Sequence, residues 1–562
     1  MTKEIKIAIL SSYTAKNIEN PLRELLIKNK FKPEIRFGGY NQFVQEMIDN
    51  KSWLYSFNPD IILIALSYNT FLKELEFLIT EKNFDCLKYI NEKFSLIKDS
   101  IFNCKLRSSI ILTKIDTPNY SPLGLLDLKE EFGINSILKK LNEKIIDISK
   151  EDSRVQILDF EKICSYLGKK NFFDEKMNYL GKIILKKESA EEFSKEIVKI
   201  INALYGNSKK CIVVDLDNTI WGGIVGEDGP YKIEIGDETP KGAIYSDVQK
   251  ILLNFKKNGI LLAISSKNNI QDVEEAFEKN NKMILKLSDF IVKKINWNPK
   301  SISIKEIANE LNIGIDSIVF IDDNPAERME VEKNLPEVSV INLPKDISLY
   351  PLTLKEIELF PKLAITEEDK KRHQIYEEEQ KRSELKESVS LEDYLNELKI
   401  KISVKENDLN SLSRITQLIN KTNQFNLRTQ RYTEEQVRDM ILSKNFKVFS
   451  LEVKDKFGEL GLTGVIIIKE DEKEYFIDSF LLSCRILSRK IENKFFNEAI
   501  KKLTNKNKKL NAEFIKSMKN EQVKNFYESL GFNIDFENLE IKKYSIKLDE
   551  LKIKDIPWIE VI

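Results

Sequence analysis

The chain has 562 residues, more than one hydrophobic core supports, so several domains are expected. Its 89 Lys and Arg residues are balanced by 90 Asp and Glu residues, which argues against a nucleic-acid partner, since proteins that bind nucleic acids carry a basic excess. No apolar run has the length of a signal peptide or a membrane span, and the five cysteines lack paired spacing. These features predict a cytoplasmic protein without a membrane partner or a zinc site.

Residues 1–207 alternate apolar runs with amphipathic segments, a pattern that predicts a doubly wound parallel sheet flanked by helices. The predicted strands are 5–10, 59–66, 108–115 and 154–159. A second doubly wound domain is predicted over residues 208–348. Its predicted strands begin at Cys211 and continue with 259–265, 290–297 and 317–323.

Residues 349–395 are highly charged and predict a solvated helical connector, with capping boxes at Thr366–Asp369 and Ser390–Asp393. His373, the single histidine, lies in this connector and is interpreted as a surface residue. Residues 396–562 show strands, then a helix after a central strand, and predict an α+β domain. The predicted fold class is therefore multidomain α/β, with two parallel-sheet domains followed by an α+β domain.

Two aspartates, Asp215 and Asp217, follow the first strand of the second domain in the stretch VVDLDNTIWGG. Ligands of doubly wound folds bind at the carboxyl edge of the sheet, where these carboxylates are expected. Like charges this close require a cation or a shared proton, and Mg²⁺ is the natural partner of oxygen ligands beside a phosphate. The alternative interpretation, a surface turn with two solvated acids, is weakened by three features downstream.

Those features lie at strand ends or helix starts, in order along the chain. They are the hydroxyl of Ser266, the lysine of NWNPK at Lys300, and the paired carboxylates Asp322 and Asp323. A hydroxyl and a lysine are suited to phosphoryl oxygens, and carboxylates are suited to a metal ion. One such motif is weak support, but four in this order predict a phosphoryl-transfer site.

The phrases DLDNT, ISS, NWNPK and IDDNPAER resemble the four motifs of the haloacid dehalogenase (HAD) phosphatase superfamily. The resemblance implies that Asp215 is the phosphoryl acceptor and that Asp217 protonates the leaving oxygen and later activates water. It implies that Ser266 and Lys300 hold the phosphoryl oxygens. It also implies that Mg²⁺ is held by the Asp215 carboxylate, the Asp217 backbone carbonyl and Asp323, with Asp322 close by. The short segment GGIVGEDGPYKIEIG is expected to form a β-hairpin flap rather than a cap domain, leaving the site open.

Longer phrases resemble the FkbH family over most of the chain, among them QLINKTNQFNLRTQRY, DKFGELGLTG and FLLSCRILSRKIE. The resemblance implies synthesis of glyceryl-acyl carrier protein from 1,3-bisphosphoglycerate. The phosphates are removed, and the glyceryl group is loaded onto the phosphopantetheine thiol of the carrier, often for polyketide biosynthesis. The implied partners are an acyl carrier protein and a small phosphorylated three-carbon substrate.

The C-terminal domain resembles N-acetyltransferases of the GNAT type, whose glycine-rich loop approaches a pyrophosphate. Here Ser488 and Lys490 replace both glycines, which argues against ordinary coenzyme A binding. A carrier-bound pantetheine has a single phosphate, and the candidate residues for its binding are Arg485, Ser488, Arg489 and Lys490. Tyr527 takes the position of the acid that protonates a departing thiolate in GNAT enzymes.

Cys484 follows a predicted strand beside this loop, where a thioester relay is attractive because thiolates near cationic side chains are good nucleophiles. A buried structural cysteine is an equally weighted interpretation.

The N-terminal domain vaguely resembles SGNH hydrolases, with Ser11 or Ser12 after the first strand. The late Asp-x-x-His motif reads Asp174 to Met177, so the hydrolase triad is absent, and a docking or scaffolding role is expected.

Three functions remain open at this point. The leading one is a phosphatase–acyltransferase that makes glyceryl-carrier protein. The second is a plain Mg²⁺ phosphatase of a small metabolite with a degenerate C-terminal domain, which the exchange of both loop glycines favours. The third is a carrier-docking scaffold without activity, against which the complete set of carboxylates argues.

Overall fold

The computed structural model describes residues 3–363, 372–505, 507–517, 519–551 and 555–562. The chain forms two compact units. The first comprises the chain up to Tyr205 together with Tyr432–Asp439, and the second comprises Gly206–Arg431 with Met440–Ile562. The first break lies close to the predicted boundary at residue 207. The inclusion of Tyr432–Asp439 in the first unit is not foreseen by any predicted boundary.

The first unit is built on a parallel sheet of five strands in the order β2-β1-β3-β4-β5. The strands are β1 (Lys3–Ser11), β2 (Phe31–Phe37), β3 (Ile61–Ala65), β4 (Ser109–Thr113) and β5 (Val155–Leu158). Along β1, Ile7 and Ile9 pack on one face of the sheet while Ala8 and Leu10 pack on the other. This alternation is the period of two that a strand imposes, and both faces are apolar because helices cover both.

The helices of the first 205 residues are Glu19–Lys28, Phe43–Ile48, Trp53–Phe57, Tyr68–Phe71, Leu75–Leu78, Cys86–Phe102, Ile134–Glu151, Phe160–Leu167, Lys169–Phe172, Glu175–Gly181 and Lys187–Leu204.

The second unit begins with another parallel sheet, in the order β10-β9-β6-β7-β8. The strands are β6 (Cys211–Val214), β7 (Leu261–Ser266), β8 (Val292–Ile295), β9 (Ile318–Asp322) and β10 (Ser339–Asn342). The central position of β6 is a topological switch point, because β7 lies on one side of it and β9 on the other. The helices of this part are Val225–Asp228, Pro240–Lys257, Ile270–Lys279, Lys300–Glu310, Pro325–Asn334 and Tyr350–Lys355.

The C-terminal part contains a nine-stranded mixed sheet, in which β17-β18-β16-β15-β14-β13-β11-β19 follow one another and β12 also pairs with β15. The strands are β11 (Ile400–Glu406), β12 (Phe425–Asn426), β13 (Phe446–Asp455), β14 (Gly458–Glu470), β15 (Glu474–Leu482), β16 (Lys509–Ile515), β17 (Asn533–Glu537), β18 (Ile541–Lys547) and β19 (Ile559–Val561). Its helices are Leu412–Lys421, Glu434–Leu442, Ile491–Lys501 and Phe526–Ser529. The predicted fold class, two parallel-sheet domains followed by an α+β domain, is confirmed.

The connector contains the helices Arg372–Ser388 and Leu391–Glu397. The Ser390 hydroxyl accepts a hydrogen bond from the Asp393 amide at 3.2 Å, which is one half of the predicted capping box, and donates to the Asp393 carboxylate at 2.6 Å. Thr366, Asp369 and the side chain of His373 lie outside the described residues. Within the described residues, no helix is both long and apolar enough to cross a membrane.

The prediction of a solvated connector helix is wrong at Arg382, whose side chain is fully buried. Its Nε and Nη2 atoms donate to the two carboxylate oxygens of Asp455 at 2.7 and 2.9 Å. Glu379 contributes a second ion pair to Arg382 and accepts a hydrogen bond from Arg489 Nη2 at 2.6 Å. Buried charges persist only where they are paired, so this network joins the connector to the C-terminal sheet.

Candidate functional site

The candidate active site lies at the carboxyl edge of the sheet that contains β6 and β9. Asp215 directly follows β6, and its backbone N–H donates to the Ile321 carbonyl of β9 at 2.9 Å. Lys300 begins the helix Lys300–Glu310, and its side chain is buried. Its Nζ donates to Asp215 Oδ1 and to the Ser265 carbonyl, each at 2.6 Å. The predicted nucleophile and the predicted phosphate-binding lysine therefore meet in space.

Three carboxylates, those of Asp215, Asp322 and Asp323, each place one oxygen within 4.8 Å of the others. Hard oxygen donors at this spacing fit Mg²⁺, which takes carboxylate ligands beside substrate phosphate oxygens. Burial, followed by the charge of Asp215, raises the pKa of Asp322 to about 7. The same two causes raise the pKa of Asp323. A cluster that resists ionisation in this way is one that a divalent cation stabilises in its charged form.

Lys300 is the cationic side chain that contacts the three-carboxylate cluster. Its Nζ lies 3.3 Å from Asp322 Oδ2, in addition to its bond with Asp215. Burial acts to lower the pKa of Lys300, but the two carboxylates outweigh it and raise this pKa. Lys300 therefore stays protonated and can neutralise charge on a phosphoryl group.

Two residues outside the predicted set fix the loop that carries Asp323. Thr219 Oγ1 donates to Asp323 Oδ1 at 3.2 Å and accepts from the Asp323 amide at 3.1 Å. Arg328 Nη1 donates to the carbonyls of Asp322 and Asp323 at 2.7 and 2.8 Å. Thr219 belongs to the phrase DLDNT and Arg328 to IDDNPAER, so the signal for both was present in the motifs that predicted the site.

The carboxylate of Asp217 is held by three donors. Its Oδ1 accepts from Trp221 Nε1 at 2.9 Å and from the Val225 amide at 3.1 Å, and its Oδ2 accepts from Asn268 Nδ2 at 2.9 Å. Burial raises the pKa of Asp217, while these three donors act against that rise. We refer to Trp221, Val225 and Asn268 as the Asp217 clamp. Both carboxylate oxygens accept hydrogen bonds, so Asp217 is oriented as a proton-transfer group, and its carboxylate is not one of the three that form the cluster of Asp215, Asp322 and Asp323.

Asn268 also donates to Ser266 Oγ at 3.1 Å, which links the clamp to the predicted phosphate-binding hydroxyl at the end of β7. The expected β-hairpin flap is not formed. The segment instead contains the helix Val225–Asp228 and a single antiparallel bridge between Gly222 and Glu234. Its glycines favour a turn-rich path over paired strands, and the segment delivers Val225 to the clamp.

The candidate thiol, Cys484, lies in the short turn Cys484–Ile486 that follows β15 and is half-buried. Its Sγ donates to the Asn312 carbonyl at 3.2 Å, and Asn312 Nδ2 donates to the Cys484 carbonyl at 3.2 Å. Asn312 precedes β9 and therefore lies at the amino edge of the phosphatase sheet. Cys484 consequently lies against the amino edge of the phosphatase sheet, whereas Asp215 lies at its carboxyl edge.

Ser488 and Lys490 adopt left-handed backbone conformations, with φ of 66° and 63°. GNAT enzymes usually carry glycine at these two positions. The loop therefore keeps the left-handed backbone that glycine favours, although serine and lysine occupy it here. The assignment of Arg489 to pantetheine binding requires correction, because its side chain is buried and bound to Glu379.

The assignment of Tyr527 as a catalytic acid also requires correction. Its side chain is fully buried and packs against the rings of Phe526, Phe532 and Tyr544. Burial raises the pKa of Tyr527 well above its ordinary value. Sequence position alone could not reveal this packing, which depends on strands that follow in the chain.

The N-terminal domain has a closed polar cluster where a hydrolase would have its active site. Ser12 Oγ lies 2.8 Å from Thr70 Oγ1, and the Tyr68 amide donates to Asp116 Oδ1 at 2.8 Å. Asp116 is fully buried, which raises its pKa to about 6. Asp174 caps the helix Glu175–Gly181 by accepting from the amide of Met177. A helix-capping role for Asp174 agrees with the absence of a hydrolase triad.

Comparison with known proteins identifies relatives of both units. Residues 6–202 match the family model for the FkbH N-terminal domain. A crystal structure of the N-terminal part of BF1531 from Bacteroides fragilis, containing a phosphatase domain complexed with Mg, is 30% identical. That similarity covers 65% of this chain and 95% of that chain, with a TM-score of 0.59. Curated proteins include no match.

The C-terminal part is similar to solved N-acetyltransferases. The ribosomal-protein-S18-alanine N-acetyltransferase of Escherichia coli is 13% identical, covering 26% of this chain and 94% of that chain, with a TM-score of 0.21. PaiA N-acetyltransferase of Thermoplasma acidophilum, solved with coenzyme A, is 14% identical, covering 26% of this chain and 98% of that chain, with a TM-score of 0.21.

The Mg-bound relative and the three-carboxylate cluster together confirm the prediction of Mg²⁺ as the cofactor. The chain is an enzyme with a HAD-type phosphatase domain, and it belongs to the FkbH-like family.

Proposed function

We propose that this enzyme dephosphorylates 1,3-bisphosphoglycerate and loads the glyceryl group onto the phosphopantetheine thiol of an acyl carrier protein. The observation that carries the phosphatase half is the contact of Lys300 with Asp215 inside a cluster of three carboxylates. The transfer half is supported by membership of the FkbH-like family and by a half-buried thiol at Cys484. The N-terminal domain is proposed to dock or scaffold the carrier.

Phosphate ester cleavage follows from the geometry at the carboxyl edge of the sheet. An Asp215 oxygen attacks phosphorus, the bond from phosphorus to the ester oxygen breaks, and Asp217 delivers its proton to that oxygen. Water then attacks the aspartyl phosphate, and Asp217 takes a proton from this water. Inorganic phosphate leaves and Asp215 is restored. Bound Mg²⁺ supplies charge neutralisation to the phosphoryl oxygens, and Lys300 adds to it.

Glyceryl transfer uses the acyl phosphate at the other end of the substrate. In the relay form, the Cys484 sulfur forms a bond to the acyl carbon, and the bond from that carbon to the phosphate oxygen breaks. The departing phosphate takes the electron pair and the thiol proton. The carrier sulfur then bonds to the acyl carbon, the bond from that carbon to the Cys484 sulfur breaks, and the proton of the carrier thiol passes to Cys484. In the direct form, the carrier sulfur bonds to the acyl carbon of the acyl phosphate, phosphate leaves with the thiol proton, and Cys484 is a packing residue.

A second candidate function is a plain Mg²⁺ phosphatase of a small phosphorylated metabolite. It is favoured by the burial of Arg489 and Tyr527, which removes two groups that an acyltransferase of the GNAT type would use. In this case the C-terminal domain is degenerate and Cys484 has no chemical role.

The test is incubation of the full-length enzyme with 1,3-bisphosphoglycerate, Mg²⁺ and candidate carrier proteins. Phosphate release and the intact mass of the carrier are measured together. We expect wild type to release phosphate and load the carrier. Asp215→Asn is expected to lose release of the ester phosphate, because an amide is not a nucleophile toward phosphorus, while a thiol can still displace the acyl phosphate. Release of the ester phosphate at near wild-type rate in this variant contradicts the HAD assignment.

Cys484→Ala separates the two forms of transfer. The relay form requires that this variant still release phosphate but load little carrier, whereas the direct form requires almost normal loading. A wild-type enzyme that loads no carrier leaves the plain phosphatase as the function.

A further inference from the structure

A cavity of about 280 Å³ lies inside the second unit, between the amino edge of the phosphatase sheet and the C-terminal domain. Lys210, just before β6, and Asn312, before β9, line it from the phosphatase side. Cys484 and Arg485 line it from the C-terminal side. The volume is just below the range for small-ligand pockets, roughly 300–1,000 Å³. The phosphatase domain and the C-terminal domain therefore both line this cavity. We refer to it as the junction cavity.

The lining of the junction cavity is strongly cationic. Lys210, Arg414, Lys421, Arg485 and Lys519 contribute to it, and the described residues that line it include no carboxylate, although Lys519 is paired with Asp316 just outside. This is a marked segregation of charge, since the whole chain has a net charge of −1. A concave surface of one sign concentrates ligands of the opposite sign, and guanidinium and ammonium groups together recognise phosphate oxygens.

The shape of the cavity is fixed from the phosphatase side. A side-chain Cβ at Gly314 would lie within 2.8 Å of both Asp316 Oδ1 and Lys519 Nζ, so the absence of a side chain lets both groups lie close to this loop. Lys519 in turn pairs with Asp316 at 2.6 Å. Asn312 adopts φ of 48° in the same loop, and its carbonyl receives the Cys484 thiol. The loop between the helix Lys300–Glu310 and β9 therefore positions both a cation and the thiol.

The junction cavity and the phosphatase site open at opposite edges of one sheet. Lys210 lines the cavity and Asp215 carries the phosphatase chemistry, and β6 separates them. Five residues of extended chain span roughly 16 Å at about 3.3 Å per residue. A ligand of three carbons cannot reach both places at once, so ester cleavage and thiol chemistry need separate binding events.

We propose that the junction cavity is a composite binding site for a phosphate-bearing ligand whose reactive end reaches Cys484, built jointly by the phosphatase and C-terminal domains. The proposal deepens the proposed function, on which its link to carrier loading rests. The phosphate has two sources of the same chemistry: the ester phosphate of the three-carbon substrate or the phosphate of the pantetheine arm. The contribution of the phosphatase domain is thus not limited to hydrolysis, because its amino edge forms half of the transfer site.

The test is protection of Cys484 from alkylation in the full-length protein, read by peptide mass spectrometry. Iodoacetamide is the reagent, and the two probes are 3-phosphoglycerate and 4′-phosphopantetheine. Cys86, the other half-buried cysteine, is the internal reference. We expect one probe to slow alkylation of Cys484 on the order of tenfold at tenfold excess over its dissociation constant, with Cys86 unchanged. The protecting probe identifies the source of the phosphate. If neither probe protects Cys484, the proposal is overturned.

Variants of the phosphatase side test whether the site is composite. Lys210→Gln is expected to weaken protection about tenfold, whereas Lys210→Arg keeps the charge and is expected to restore it. Lys305→Gln, an exposed lysine of the same domain, is the matched control and is expected to protect like wild type. Full protection in Lys210→Gln refutes a shared site.

These outcomes separate the proposal from the proposed function. Protection of Cys484 in an enzyme that never loads a carrier keeps the binding site and rejects the transfer. Carrier loading without protection by either probe keeps the transfer and rejects the site.

Discussion

Replacing Trp221 by phenylalanine tests the idea that the Asp217 clamp orients a proton-transfer group. Trp221 Nε1 donates to Asp217 Oδ1 at 2.9 Å, and its ring packs edge to face with Phe277, the ring centroids 5.5 Å apart. Phenylalanine keeps a ring at this position and removes the donor. A hydrogen bond to a charged group contributes about 2 kcal/mol, which corresponds to about a thirtyfold loss in rate when it acts in the transition state.

The assay compares two substrates in the same variant. An alkyl phosphate has a poor leaving group that needs protonation by Asp217, whereas p-nitrophenyl phosphate leaves without it. We expect kcat for the alkyl ester to fall about thirtyfold and kcat for the aryl ester to change little in the first step. Phe277→Leu is the control, because it alters the same ring packing and leaves the donors to Asp217 in place.

The pH profile gives an independent readout. The Trp221 N–H lowers the pKa of Asp217, so its removal raises that pKa. The carboxylate form that activates water then appears only at higher pH, and the acidic limb of the profile moves upward. Equal losses for both substrates, with an unmoved acidic limb, would show that Trp221 only packs and that the clamp has no catalytic role.

Four further changes have defined outcomes. Asp323→Ala should raise the Mg²⁺ concentration needed for phosphate release or abolish turnover, and indifference to chelators would count against the metal site. Lys300→Met should lower kcat about 10²–10³-fold, since one donor to the developing charge is lost, and an unchanged kcat would contradict its role. Arg382→Leu leaves Asp455 buried without its main partner and should cost about 3–5 kcal/mol in urea unfolding; the double variant that also carries Asp455→Leu should recover part of this. Burial raises the pKa of Asp116 from 3.8 to about 6, so its stabilising effect is complete below pH 3.8 and lost above pH 6. Asp116→Asn should therefore raise the urea midpoint of the first unit at pH 8 more than at pH 4, and an equal change at both pH values would refute the assignment.

Within the two parallel sheets, the central strands were predicted because their sequences are continuously apolar, and the edge strands β5 and β8 because apolar residues flank their polar positions. β3 and β4 are buried along their whole length, as central strands of parallel sheets must be. The strands that were missed, β2 and β10, are edge strands with partly exposed residues, and their sequences FKPEIRF and SVIN are too polar or too short for that pattern. An apolar run reflects burial of both faces of a strand, so it predicts a central strand more readily than a short or polar edge strand.

The residues of the candidate site also differ in how well the sequence predicts them. Asp215, Lys300 and Asp323 were predictable because each lies at a strand end or a helix start within a motif. The Asp217 clamp was harder to predict, because Asn268 reaches Asp217 across 51 residues of chain. The errors at Arg489 and Arg382 have one cause, since the burial of a charge depends on a partner far away in sequence.

The inclusion of Tyr432–Asp439 in the first unit has a consequence for folding during synthesis. Within that unit, Arg107 forms an ion pair with Asp439, and the Ser153 hydroxyl donates a hydrogen bond to Glu435. The ribosome delivers the chain up to Tyr205 first, and these eight residues follow only after more than two hundred others. Domains generally fold as they emerge, at roughly 5–20 residues per second, so the first unit waits on the order of ten seconds or more for its last segment. A shortened chain that ends before Tyr432 lacks the partners of Arg107 and Ser153 in this segment.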